Sequence, residues 1–264
     1  MTFSENPIGL FDSGIGGLSI WQAIHAMLPR ESTLYLADSK HAPYGEKSMD
    51  EVINLAVKNT EYLLDNNCKL IVVACNTATT QTISHLRKSY EVPFIGIEPA
   101  IKPAALDTQT NKVGVLATKG TLASSLFHST TSMHAAGVTI FEQEGTGLVE
   151  RVEAGELEGP ALERHLMGLV QPMVDEGIDQ LVLGCTHYPF LIPSLKKILP
   201  DTVHIVDCSP AISRQTAAIL LQNGLENTAD VQPRHEFYTN GDVKLLSQFI
   251  PQNRPNFKIA YLDF

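Results

Sequence analysis

Two cysteines, Cys75 and Cys185, each close a run of apolar strand-type residues and each precede polar residues able to open a helix. The first run reads Leu70-Ile71-Val72-Val73-Ala74-Cys75-Asn76-Thr77, the second Leu181-Val182-Leu183-Gly184-Cys185-Thr186-His187. In open α/β sheets ligands collect beyond the carboxyl ends of the strands. Two thiols placed there by separate β-α units can therefore face each other across one substrate. A carbon flanked by proton-transfer groups on both faces is a carbon whose configuration can be inverted. A Cα proton is a very weak acid, so its removal needs a base on one face, a proton donor on the other, and a carboxylate held by hydrogen bonds as charge develops. A thiol of unperturbed pKa about 8.5 can take either role once its surroundings are tuned.

The residues near the thiols in this scheme are short, polar and almost devoid of Arg and Lys. The carboxylates of a substrate are then expected to meet hydroxyls, amides and helix N-termini. With no Lys in these motifs, no pyridoxal phosphate and no metal are expected. The segment Asp12-Ser13-Gly14-Ile15-Gly16-Gly17 has the start of a dinucleotide fingerprint, but Ser19 stands where the third glycine belongs. Its backbone amides and the Ser13 hydroxyl are expected instead to receive a carboxylate at a helix N-terminus. Asp12 is expected beside an ammonium group or a thiol that must cycle its proton.

Strand-type runs alternate with helical patterns along the chain. Strands are expected over 8–13, 33–38, 70–75, 94–97, 112–118, 138–141, 181–185, 204–207 and 259–262. Ser48-Met49-Asp50-Glu51 has capping-box spacing, followed by Val52, Ile53, Ala56, Val57, Leu63 and Leu64 at helical intervals. Continuous apolar strands between helices imply a mainly parallel sheet covered on both faces. An internal repeat refines this. A shift of 110 residues superposes Cys185 on Cys75, and a shift of 105 superposes Val113 to Thr118 on Ile8 to Ser13. The expected fold is thus α/β, with two similar doubly wound domains related by pseudo-symmetry and the site in the cleft between them. The first would comprise 1–98 plus 209–264 and the second 99–208.

Composition bounds the function. The formal charge of −10 in 264 residues speaks against nucleic acid, whose phosphates demand clustered Lys and Arg. No apolar run is long enough for a membrane span, and the N-terminus has no signal-peptide pattern. A cytoplasmic location is expected, where cysteines at 68, 75, 185 and 208 stay reduced, and no Cys-x-x-Cys pair suggests zinc.

Four motifs in order, Phe11-Asp12-Ser13-Gly14-Ile15-Gly16-Gly17, Ala42-Pro43-Tyr44-Gly45, Ala74-Cys75-Asn76-Thr77-Ala78-Thr79 and Gly184-Cys185-Thr186-His187-Tyr188-Pro189, resemble the glutamate racemases of the aspartate/glutamate racemase superfamily. The resemblance spans almost the whole chain. It implies cofactor-independent interconversion of L- and D-glutamate, supplying D-glutamate for peptidoglycan, with glutamate as the small-molecule partner and a homodimer as the assembly. By position it makes Cys75 the base toward D-glutamate and Cys185 the base toward L-glutamate, with Asp12 near the first thiol and His187 supporting the second. It makes Asp12, Ser13, Pro43, Tyr44, Gly45, Asn76, Thr77, Thr118, Thr121, Thr186 and His187 substrate-binding residues, and matches Glu153 to a further acidic residue. On the residues alone, a racemase of another small acid such as aspartate, a decarboxylase or isomerase on a related scaffold, and a non-catalytic amino-acid sensor stay open.

Overall fold

The computed structural model describes residues 3–229, 231–251 and 254–264. Ten strands form two parallel sheets. They are β1 (Ile8–Asp12), β2 (Thr33–Ala37), β3 (Leu70–Val73), β4 (Phe94–Gly96), β5 (Lys112–Ala117), β6 (Thr139–Glu144), β7 (Gln180–Gly184), β8 (His204–Val206), β9 (His235–Thr239) and β10 (Phe257–Tyr261). The first sheet has the order β10-β9-β2-β1-β3-β4 and the second β6-β5-β7-β8. Every pairing is parallel.

The internal repeat is written into the register. The order β2-β1-β3-β4 recurs as β6-β5-β7-β8. Ile8 lies opposite Leu70 in the first sheet and Val113 opposite Gln180 in the second. The two central strands are thus displaced along the chain by 105 (113 − 8) and 110 (180 − 70) residues. The two halves are α/β domains of one design.

Position within the sheets follows the side chains. β1, β2, β3 and β7 are buried at every residue, as a strand covered by helices on both faces must be. β6, β8 and β10 lie at sheet edges, and among the strands only they carry exposed residues, such as Thr139, Glu142, His204 and Lys258. The helix Met49–Asp65 begins at Ser48, whose hydroxyl accepts from the Glu51 N–H while Glu51 accepts from the Ser48 N–H. This reciprocal cap stabilises the helix start by about 1 kcal/mol. Ile8, Leu10, Leu18, Trp21, Ile24, Leu70 and Val72 pack one face of the first sheet, and Phe11, Leu36, Val52, Leu63, Ile71 and Val73 the other. Each such aliphatic side chain contributes about 2 kcal/mol on burial.

The strands end earlier than the apolar runs suggest. The runs reach 13, 38, 75, 118 and 185, whereas the ladders stop at Asp12, Ala37, Val73, Ala117 and Gly184. The chain leaves the sheet at the residues that carry chemistry, and at two of them the reason is that the residue caps a helix. Cys75 is the N-cap of the helix Asn76–Ser89, its sulfur accepting from the Ala78 N–H. Thr118 caps the helix Lys119–Leu122 in the same way through the Thr121 N–H. β9 was not expected. His-Glu-Phe-Tyr-Thr carries no continuous apolar run, yet it fills the place between β2 and β10 and so joins the tail to the first sheet.

Candidate active site

The carboxyl ends of β1 and β3 in one half, and of β5 and β7 in the other, converge on one small cavity. Its wall carries Cys75 and Cys185 together with Ser13, Pro43, Tyr44, Gly45, Asn76, Thr77, Thr118, Thr186, His187 and Val149. Both thiols are nearly sealed from solvent, at 5% and 6% exposure. Asp12, Thr121 and Glu153 are off this wall, one layer behind it. Val149 is the one wall residue not expected from the sequence, an apolar side chain with nothing in its type to mark a site.

Cys75 stands against the first half. Its thiol donates toward the Ser13 hydroxyl at 3.7 Å. Behind it Asp12 is fully buried, its Oδ2 accepting from the N–H of Gly17 at 2.9 Å and of Gly14 at 3.3 Å, its Oδ1 from the Thr186 hydroxyl at 3.4 Å. Burial raises the Asp12 pKa, against the opposing pull of the His187 charge and the Gly17 N–H. Burial, and then the nearby Asp12 charge, push the Cys75 thiol well above its usual range. Cys75 is thus a proton carrier at rest.

Cys185 has the opposite surroundings. Its sulfur lies 3.7 Å from His187 Nδ1, and His187 Nε2 lies 2.7 Å from Glu153 Oε1. Burial alone would lower the His187 pKa, but the hydrogen bonds with Cys185 and Glu153 outweigh it and hold the imidazole well above its ordinary value. An imidazolium there donates from both ring nitrogens, to the Glu153 carboxylate on one side and toward the Cys185 sulfur on the other. Glu153 comes from the helix Leu148–Glu153 in the second half and is held by the first, accepting from the Ile15 N–H at 2.7 Å and the Ser39 hydroxyl at 3.0 Å.

The glycine loop owes its composition to this crossing. A Cβ on Gly14 would sit 1.9 Å from Glu153 Oε1, and one on Gly16 2.3 Å from His187 Nδ1. Its amides do receive carboxylates, as the loop chemistry implied, but those at Gly14, Ile15 and Gly17 are taken by Asp12 and Glu153 of the protein itself. Polar capacity for a ligand lies elsewhere. Both side-chain polar atoms of Asn76 are buried without a partner among the described residues. The hydroxyls of Thr77 and Thr118 meet at 2.8 Å, with Thr121 3.0 Å behind Thr118. A ligand bearing a carboxylate would satisfy the Asn76 amide and these hydroxyls. No lysine is on the wall.

The Asp/Glu/hydantoin racemase family profile matches residues 8–216, the segment that carries this whole constellation. The chain belongs to that family. It is 45% identical over 252 residues to a glutamate racemase of Ectopseudomonas mendocina, covering 95% of both chains. Among solved structures it resembles the Francisella tularensis glutamate racemase in complex with D-glutamate, with a TM-score of 0.84 and 29% identity over 97% of this chain and 98% of that one. The Escherichia coli glutamate racemase in complex with L-glutamate and the activator UDP-MurNAc-Ala aligns with a TM-score of 0.81 and 33% identity, over 92% of this chain and 95% of that one. A family of racemases fits a cavity whose wall carries two thiols.

Proposed function

We propose that this protein interconverts L- and D-glutamate by a two-base mechanism without a cofactor, and so supplies D-glutamate for peptidoglycan. The observation that carries this reading is the presence of Cys75 and Cys185 on one cavity, each delivered by the equivalent strand end of its own half. With Cys185 as thiolate and Cys75 as thiol, Cys185 removes the Cα proton of L-glutamate. The substrate electron pair is held as its carboxylate gains charge, and Cys75 returns a proton to the opposite face, giving D-glutamate. The substrate proton ends on Cys185 and the proton of Cys75 on the product, so the reverse reaction starts from this exchanged state, with Asp12 behind Cys75 and His187 beside Cys185 to exchange protons with the thiols between turnovers. Asn76, the threonine hydroxyls and the helix N-termini at Cys75 and Thr118 bind the carboxylates. Neutral donors leave the substrate carboxylate less stabilised in the ground state than an Arg would, and so favour the transition state.

The domain limits that best match the two sheets are 1–98 plus 209–264 and 99–208, since β9 and β10 extend the first sheet and the helix Ser209–Gln222 packs on Leu18–Met27. Four free cysteines support action in the reducing cytoplasm, and we assign the assembly as a homodimer. Among the described residues no helix is long and apolar enough to cross a membrane. The test is to incubate pure protein, dialysed against chelator and hydroxylamine, with each enantiomer of glutamate and of aspartate and to follow optical rotation. Loss of rotation from both glutamates at the undialysed rate is expected. Inactivity after dialysis, or turnover of aspartate alone, contradicts the proposal.

A further inference from the structure

We infer that Asp38 is a positioning residue for the turn Pro43-Tyr44-Gly45, fixing through Tyr44 one wall of the active-site cavity. The inference rests on reading that cavity as a glutamate racemase site. Asp38 follows β2, is 1% exposed and is not itself on the cavity wall. Its Oδ2 accepts from the Tyr44 hydroxyl at 2.5 Å, and its Oδ1 accepts from Asn240 Nδ2 at 2.5 Å and pairs with His41 Nδ1 at 2.6 Å. Three polar groups converge on it. Only a carboxylate accepts at both oxygens and offers no competing donor.

The partners are committed to this arrangement. Asn240 cannot turn its amide over, because its Oδ1 already accepts from the Lys40 N–H at 2.9 Å. The Tyr44 oxygen accepts from Asn59 Nδ2 at 3.2 Å, so its single hydrogen belongs to Asp38. The phenol is therefore spent within the first half, and Tyr44 offers the cavity its ring and backbone. Next to it the turn meets the second half. A Cβ on Gly45 would lie 3.0 Å from Thr118 Cβ, and one on Gly120 3.1 Å from the Gly45 carbonyl. The Asp38–Tyr44 bond thus sets where the first half's turn stands against Thr118, which belongs to the threonine cluster offered to substrate carboxylate.

Asp38→Asn tests this, because the new amide must aim an N–H at Tyr44 or at Asn240. With the turn no longer fixed against Thr118, carboxylate binding weakens in the ground state and the transition state alike, so KM should rise about tenfold for both enantiomers while kcat changes by less than about threefold. Tyr44→Phe breaks the same bond from the other side without altering Asp38, and should give the same rise even if Asp38→Asn does not fold. The double variant should be no worse than the poorer single one. A purely structural role would lower the melting temperature and leave KM alone. Unchanged KM in either folded variant, or additive effects in the double variant, overturns the inference while wild-type turnover stands. A wild-type protein that neither racemises glutamate nor binds it by calorimetry overturns the underlying reading, and this inference with it.

Discussion

Asp12 and Cys75 show how little the polar atoms at this site are left to solvent. Asp12 is fully buried, and burial raises its pKa. The sign for stability follows from that direction. A folded pKa above the unfolded value means the contribution of Asp12 is fully present below about pH 3.8 and is lost as pH rises through the raised pKa. Above that raised pKa the buried charge is a cost to the fold. Asp12→Asn should therefore lower kcat by about a hundredfold, the scale of general acid-base assistance, while leaving the melting temperature unchanged or higher. Asparagine can still accept from Gly14 and Gly17 and donate to Thr186. Steady-state kinetics beside thermal denaturation checks this, and normal turnover would return Asp12 to a capping role. The chemistry at this scale was legible because few residue types can carry a proton at a strand end. Asp38, Ser39, Asn59 and Asn240 were not, since each is an ordinary polar residue until the fold brings it to Tyr44, Glu153 or, for Asn240, Asp38.

At the scale of elements, the loop between β1 and the helix Leu18–Met27 is the joint between the halves. Gly16→Ala places a methyl against the His187 ring, which cannot retreat without leaving Cys185 or Glu153. Activity should fall about a hundredfold or more with the fold intact, as expected when a positioned proton-transfer group is displaced. Circular dichroism beside a racemisation assay would separate this outcome from unfolding. β9 gives a prediction of a different kind. Trp21 Nε1 donates to the Thr33 hydroxyl, which meets His235 Nδ1 at 2.9 Å, while His235 Nε2 is buried without a partner among the described residues. Burial, with His25 and Arg254 nearby, lowers the His235 pKa from 6.5 to about 4. Its contribution to stability is present above pH 6.5 and is lost as pH falls toward about 4. Urea denaturation at stepped pH should show that loss, and His235→Gln should flatten it; equal slopes in both proteins would contradict the assignment. The central strands and the capped helix were legible because apolar runs and capping spacing are local signals. β9 was not, because its place depends on β2 and β10 rather than on its own pattern.

For the whole molecule, the duplicated strand order explains why the two thiols share one cavity. Equivalent strand ends of the two halves deliver one cysteine each, and in the proposed mechanism the substrate lies between them. Because L- and D-glutamate have equal free energy, kcat/KM must be the same in both directions for every variant. Steady-state racemisation therefore cannot say which thiol serves which face. A half-reaction can, using a glutamate analogue with a β leaving group that eliminates after one proton is removed. Cys185→Ser should still eliminate from the D-analogue and hardly from the L-analogue, and Cys75→Ser should do the reverse, while neither inverts glutamate. Comparable elimination from both enantiomers by either single variant would mean that one base reaches both faces, and the opposed-thiol account would fail.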